Sequence, residues 1–324
     1  MMGASIPTLA LFVWYVRRRD AFDSSALVEP SLFRVHSFVT GVILNLVFEA
    51  MFIGYFLIFT LTLQAGLGFS VLKAALTGIP FAIGISVSIG LISQKLLPKF
   101  GRNVIIIGTS TLALGLAGEG LLVLTQGTSL SPWALAVPLL VGGFGIGAIM
   151  APIFAVVLRD VDVAHAGSAS GIMNAVQQVG GAIGVALIGV IFFGLLTSSA
   201  KTQAQGVTDQ LKSDLAAAHL PAPVASSIAD GFVTCFVDRS AEKDASVVPE
   251  SCMRASSDSA GVPLQTQKAI TTALAKAGKQ ANASNFSHAF ARSLGFEGIL
   301  IILVTILTFS LPKSIKPEIT KVAA

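Results

Sequence analysis

An all-α, polytopic membrane protein is the fold class this sequence predicts, and three observations predict it. Six apolar stretches lie at roughly residues 37–62, 71–94, 104–125, 133–158, 168–197 and 293–312. Each is close to the ~20 residues that a helix rising about 1.5 Å per residue needs to cross about 30 Å of hydrocarbon. Hydrophobic residues make up 53% of the chain and charged residues only 12%, against about 25% charged in a soluble domain; the mean hydropathy is +0.80. Most of the charges sit between the apolar stretches rather than in them. In hydrocarbon every backbone polar group must be paired internally, so each stretch reads as a helix.

Residues 1–16 are apolar but short and are followed by Arg17, Arg18 and Arg19. A signal peptide carries its positive charge ahead of the apolar run, so the segment reads as a partial transmembrane helix that ends at the cytoplasmic face, or else as a thin seventh span. The chain thus reads as starting partway through a larger membrane domain. Residues 17–36 form a cytoplasmic linker ending near Arg34, and residues 37–197 hold spans one to five. Lys95, Lys99 and Arg102 separate spans two and three, Arg159 separates four and five, and Lys313, Lys316 and Lys321 follow the last span. The opposite short loops, Gln64–Ser70 and Gln126–Pro132, hold no Lys or Arg, and Lys73 is the exception near that side. Short cytoplasmic loops are enriched in Lys and Arg. The expected localisation is therefore a plasma or inner cell membrane, multi-pass, with the C-terminus cytoplasmic.

Alternation of spans puts residues 198–291 outside as an extracytoplasmic loop, before the last span at 292–312 and a cytoplasmic tail at 313–324. The loop is rich in Ala, Ser, Gln and Lys. Gln203–Ala218 and Gln265–Ala281 read as surface helices and Asp238–Asp258 as a polar loop. Both cysteines, Cys235 and Cys252, fall here; on an oxidising side they are candidates for a disulfide, with free thiols as the alternative. Two cysteines alone make no metal site, so no metal is expected. Asn282-Ala-Ser and Asn285-Phe-Ser match the glycosylation acceptor pattern, which would be a chance match if the host were a bacterium; the sequence does not name its host.

Small residues gather in spans four and five. Gly143 and Gly147, followed by Pro152, and the pairs Gly167/Gly171 and Gly180/Gly184, with Gly181 beside them, recur at the four-residue spacing that lines one helix face and lets backbones approach. These residues read as tight packing points or as hinges of helices that bend during transport. They do not make a nucleotide loop, because no Walker lysine or preceding strand accompanies them.

Ionisable groups inside the spans are costly and tend to face a cavity. Glu49 lies near the middle of span one, and Gly41, Asn45 and Glu49 form a polar stripe at four-residue spacing. Glu49 is either a proton or substrate carrier or a buried structural hydrogen-bond partner. Glu119, beside Gly115 and Gly118, sits in the outer part of span three, where it either reaches water or shares the transport role. Glu297 reads as interfacial at the outer end of span six. Asn174, Gln178 and Gly181 share a face of span five, flanked by Gln177; these amides either bond a neighbouring helix or line a wet cavity. Phe48, Phe52 and Phe56 either pack or line an apolar pocket.

The basic residues, net +4, are dispersed among the loops, which argues against nucleic acid as a partner. His36, His165, His219 and His288 are scattered, and no hydrolase elbow or zinc-protease run occurs, so an enzyme is not expected.

Several motifs are similar to the second half of the fourteen-span drug:proton antiporters of the major facilitator superfamily. They are Pro30-Ser-Leu-Phe-Arg34, Leu63-Gln-Ala-Gly-Leu-Gly-Phe-Ser70, Pro80, Gly101-Arg-Asn-Val104, Ala166-Gly-Ser-Ala-Ser-Gly171 and Asn174-Ala-Val-Gln-Gln-Val-Gly-Gly-Ala-Ile-Gly184. The resemblance covers residues 1–200 and the last span. It implies a six-helix C-terminal bundle plus the end of a preceding helix, with the N-terminal six-helix bundle as the missing partner beside the lipid bilayer and a small amphipathic substrate. It further implies proton-coupled efflux by alternating access, with the proton motive force as energy source and no cofactor. Many members carry Arg where Gln177 stands. The alternative is a truncated or accessory membrane protein that does not transport and whose outer loop binds a partner.

Overall fold

The computed structural model describes residues 30–159, 161–162, 165–242, 244, 247–257 and 264–311, together with Pro7, Leu11, Trp14 and Tyr15. The partial helix expected at 1–16, most of the linker at 17–36 and the tail at 313–324 fall largely outside these residues. The described residues are overwhelmingly helical, and six helices are long and apolar enough to cross a membrane.

Helix α1 spans His36–Leu61 and continues through a π-helical turn at Thr62–Gly66. The hydroxyl of Thr62 donates to the Ile58 carbonyl at 2.7 Å there. Ser70 then caps α2 (Val71–Thr77), its Oγ accepting from the Lys73 amide, the role a short hydroxyl serves at a helix start. The second apolar stretch is broken in two, because Gly78 separates α2 from α3 (Ile79–Leu91) and Pro80 sits in the first turn of α3, where a missing N–H costs nothing.

Helix α4 covers Asn103–Gln126 and ends at Gly127, whose φ of +48° suits glycine. Helix α5 covers Pro132–Arg159 with Pro138 and Pro152 inside it, so two backbone donors are missing from its ladder. Helix α6 runs Ala166–Gln205 and the last helix, α10, runs Leu264–Thr308. At 40 and 45 residues they measure about 60 and 68 Å at 1.5 Å per residue, twice the hydrocarbon thickness.

The bundle follows from pairwise packing: α4 on α5, α5 on α3, α1 on α6, and α10 against α6, α4 and α1, with α1 also touching α5. Helices α1, α5, α4, α10 and α6 therefore close a circuit, and α3 packs outside it on α5. Its core includes Phe38, Phe48, Ile105, Leu139, Phe192 and Phe290, all fully buried. The outward faces are apolar too, with Trp133 86% and Val190 75% exposed, a surface that hydrocarbon or a partner bundle accommodates and water does not. Arg102 ties the end of α10 to the start of α4 by donating from Nη1 to the Phe309 and Leu311 carbonyls at 2.8 and 2.7 Å.

The stretch 198–291 is helical where surface helices are expected, at 208–217 and 265–281, and more of it is helical than the sequence suggests. Most of it is a helical cap that continues α6 and α10 beyond the membrane-length segments: α7 (Thr208–Ala217), α8 (Ala222–Ala241), α9 (Glu250–Ser257) and the first part of α10. A second core of Leu211, Leu215, Ile228, Phe232, Ile270 and Ala277 holds them together. Lys276 donates to Asp214 at 2.7 Å across α10 and α7; that hydrogen bond, with one from Gln210, holds the Asp214 carboxyl below its ordinary range. The polar loop expected at 238–258 is corrected as well. Its first residues finish α8, and Glu250–Ser257 folds as α9, joined to α8 by the Cys235–Cys252 disulfide and by Ser251 donating to Asp238 at 2.6 Å. Replacing both cysteines by serine is expected to loosen α8–α9 by about 3 kcal/mol, the loop-closure value for a ring of this size. Hydrogen exchange across 222–257 should rise while the long helices stay protected.

Asn282 and Asn285 lie inside α10, not on a loop. Asn285 is 2% exposed; its Nδ2 donates to the Leu196 carbonyl at 3.1 Å and its Oδ1 accepts from Ser199 at 2.6 Å. Asn282 donates to the Ala65 carbonyl at 2.6 Å. These side chains fasten α10 to α6 and to the turn after α1, and buried Asn285 is inaccessible to a glycan.

Candidate functional site

The polar stripe of α1 is buried. Asn45 is 1% and Glu49 8% exposed, and Gly41 is buried with them. The stripe meets α6 because Gly180 has no side chain: a Cβ there would sit 2.7 Å from the Leu46 carbonyl oxygen and 3.0 Å from Glu49 Cβ. That approach brings half-buried Gln177 within reach, and its Nε2 donates to Glu49 Oε1 at 3.1 Å. Asn45 Nδ2 has no partner among the described residues. A carboxylate in this setting, faced by an amide and by no cation among the described residues, can accept a proton or a cationic group from one side.

Of the other amides, the structure brings neither Asn174 nor Gln178 to Glu49. Both are exposed on α6, and Asn174 Nδ2 donates back to the Ser170 carbonyl at 3.0 Å. Gly181, which shares their face in the sequence pattern, is turned toward Ile53 instead.

The two outer glutamates differ from their sequence reading. Glu119 does not reach water: it is fully buried, and Tyr55 Oη donates to its Oε2 at 2.7 Å. Glu297 does not reach the protein surface: it is fully buried on α10, and neither carboxyl oxygen has a partner among the described residues. The reason is that α10 continues far beyond its apolar run, so the end of that run does not mark where side chains meet water. Tyr55 was not singled out in the sequence. The available signal is the three-and-four spacing of Leu112, Gly115, Leu116, Glu119 and Val123, all buried on α4, and of Phe290, Leu294, Glu297, Ile301 and Val304 on α10.

The glycines divide. A Cβ at Gly143 would lie 2.1 Å from the Phe81 carbonyl, at Gly147 2.7 Å from the Ile85 carbonyl, and at Gly184 2.0 Å from the Ala50 carbonyl. These three, with Gly180, set the α5–α3 and α6–α1 contacts. Gly171 meets nothing within 4 Å, and Pro152 is buried within α5.

Beside α1 lies an apolar groove of about 450 Å³ between that helix and α2–α3, lined by Phe56, Phe59, Leu63, Ile79 and Phe81. That volume is within the ~300–1,000 Å³ of small-molecule sites. Of the phenylalanines singled out in the sequence only Phe56 faces it. Phe48 is fully buried, and Phe52 packs edge-on against Phe56 with ring centroids 5.1 Å apart. Among the described residues no group of His, Cys, Asp and Glu is arranged to hold a metal ion.

The family model described as Major Facilitator Superfamily matches residues 1–185. The chain is similar to the probable actinorhodin transporter of Streptomyces coelicolor, with 33% identity over 318 residues, 98% of this chain and 54% of that protein. It is also similar to the puromycin resistance protein pur8 of Streptomyces alboniger, 34% identical over 145 residues, 44% of this chain and 28% of that one. A third similarity is to the multidrug resistance protein Stp of Mycobacterium tuberculosis, 31% identical over 201 residues, 61% of this chain and 35% of that one. The chain spans about half the length, or less, of these relatives.

Proposed function

The chain belongs to the major facilitator superfamily, a family of membrane transporters, and from that premise we propose that it is the C-terminal bundle of a fourteen-span exporter of amphipathic organic compounds driven by the proton gradient. The observation that carries the proton-coupled reading is Glu49, a carboxylate 8% exposed in the middle of a membrane-length helix and faced by Gln177, with no cation beside it among the described residues. Such a group is costly in a membrane unless it serves a pathway.

In this reading the missing N-terminal bundle packs beside these helices and the substrate cavity opens between the two halves. Glu49 binds a proton or a cationic substrate, and the two compete for it. The exposed amides Asn174 and Gln178 line the cavity wall, and the apolar groove beside Phe56 receives the greasy part of the substrate. The tight glycine contacts let α6 and α1 move as a unit, while Pro152 weakens the ladder of α5. Both ends of the six-span block face the cytoplasm, and the cap at 198–291 lies on the outer side of the plasma or inner cell membrane, where a disulfide persists. The relatives' printed names, an antibiotic transporter and resistance proteins, support the substrate class.

Expression of the natural protein in a host lacking its own pumps tests this. Accumulation of a fluorescent amphipathic cation is expected to fall below the empty-vector level and to return to it when a protonophore collapses the gradient. Equal accumulation in both strains leaves the chain as an accessory or non-transporting membrane protein.

A further inference from the structure

Helices α4 and α10 are antiparallel in a fixed register. Arg102 bonds carbonyls at Phe309 and Leu311, Thr305 Oγ1 donates to Thr109 Oγ1 at 3.0 Å, and a Cβ on Gly120 would touch Leu294 Cδ1 at 3.2 Å. Glu119 therefore stands level with Gly295, two residues or about 3 Å of rise from Glu297. Both carboxyls are fully buried, and the Tyr55 hydroxyl, from a third helix, donates to Glu119 at 2.7 Å. One turn before Glu297, Ser293 is also fully buried with an unpartnered hydroxyl, and Glu119 Oε1 and both Glu297 oxygens are unpartnered among the described residues.

We propose that Tyr55, Glu119 and Glu297 form an interior proton-binding site, separate from Glu49, in which the two carboxyls hold protons in a coupled manner and Tyr55 orients Glu119. Two bare carboxylates in a membrane interior require positive charge from elsewhere, and among the described residues the surrounding helices bring none to this level. On α1 the further titratable groups are Glu49, which turns to Gln177, and His36 at the start of the helix, far along the chain from Tyr55. On α5 and α6 only Arg159 and Lys201 carry charge, and both lie more than ten residues along the chain from the glycine contacts at this level. Phe81 of α3 stacks on Tyr55 and brings no charge. On α10, Arg292 is exposed and His288 lies nine residues, half a turn out of phase, from Glu297. A hard metal cation takes about six or more oxygens, more than one hydroxyl and the unpartnered carboxyl oxygens supply. A proton fits the donor set.

This deepens the proton-coupled reading and rests on it for its role in transport, but proton uptake is measured without transport, so the two fail separately. Infrared pH titration of the purified natural protein in lipid nanodiscs, read as the difference between wild type and each variant, follows the carboxylic C=O stretch directly. The expected result is a protonated-carboxyl signal that E119Q and E297Q each reduce, each replacement moving the midpoint of the remaining group by about one pH unit or more. Y55F is expected to keep the signal and move its midpoint; if either glutamine variant fails to fold, Y55F carries the test. A signal unchanged by the replacements, midpoints that ignore one another, or a titration displaced by excess Na⁺ overturns the proposal.

Discussion

Gly184→Leu is expected to abolish accumulation of folded protein. Helix α6 crosses α1 so closely that even a Cβ at this position would lie 2.0 Å from the Ala50 carbonyl oxygen and 2.7 Å from Ala50 Cα. Those are backbone atoms and cannot rotate aside. Alanine alone should cost about 3 kcal/mol or more, the upper range for overpacking a filled interior, and the larger side chain should force the helices apart. Gly143→Ala meets the Phe81 carbonyl at 2.1 Å and should behave in the same way at the α5–α3 contact. Gly171→Ala is the control, because nothing lies within 4 Å. It should be neutral or stabilising by up to about 1 kcal/mol through helix propensity. Thermal unfolding of the detergent-solubilised variants, followed by size-exclusion chromatography, checks the order. Equal melting of Gly184→Ala and Gly171→Ala would show that the small residues do not set the packing.

Glu49→Gln should leave the fold intact and remove coupled export. The amide oxygen that replaces the carboxylate can still accept from Gln177 Nε2, now at 3.1 Å, so the α1–α6 contact loses little. What it loses is a group able to take and release a proton. Active export should fall about 5- to 150-fold, the range of ordinary coupling free energies, while exchange of substrate down its own gradient continues. Export rates in energised vesicles, compared with counterflow in de-energised ones, separate the two. Full active export by this variant would remove Glu49 from the mechanism.

The helical membrane architecture was legible because apolar run length and charge placement are local properties. The six stretches match the six candidate spans, with one internal break at Gly78, ahead of Pro80. The Gly41–Asn45–Glu49 stripe was legible for the same reason, since four-residue spacing fixes one face whatever the helix packs against. Which face turns inward was not legible. Asn174 and Gln178 share a face, but that face is exposed, and only the partner helix decides this. Glu297 was assigned to the interface, and Glu119 left between water and a transport role, from their distance along an apolar run, whereas α10 continues for 45 residues and carries Glu297 inside. Tyr55 became visible only when a helix distant in sequence brought Glu119 to its hydroxyl. The cap was hidden by composition: its core is built largely from alanines such as Ala204, Ala229, Ala273 and Ala281. Alanine is the best helix former yet adds little to the apolar signal that marks a core.

The most direct test of proton-coupled export by these helices is proton movement itself. The natural protein that contains this chain is reconstituted into liposomes with an internal pH dye, and an amphipathic cationic substrate is added to one side. The expected result is a substrate-dependent pH change opposite in direction to substrate movement, absent from protein-free liposomes and lost in Glu49→Gln. Substrate movement with no accompanying pH change, or a pH change that Glu49→Gln leaves intact, would contradict it.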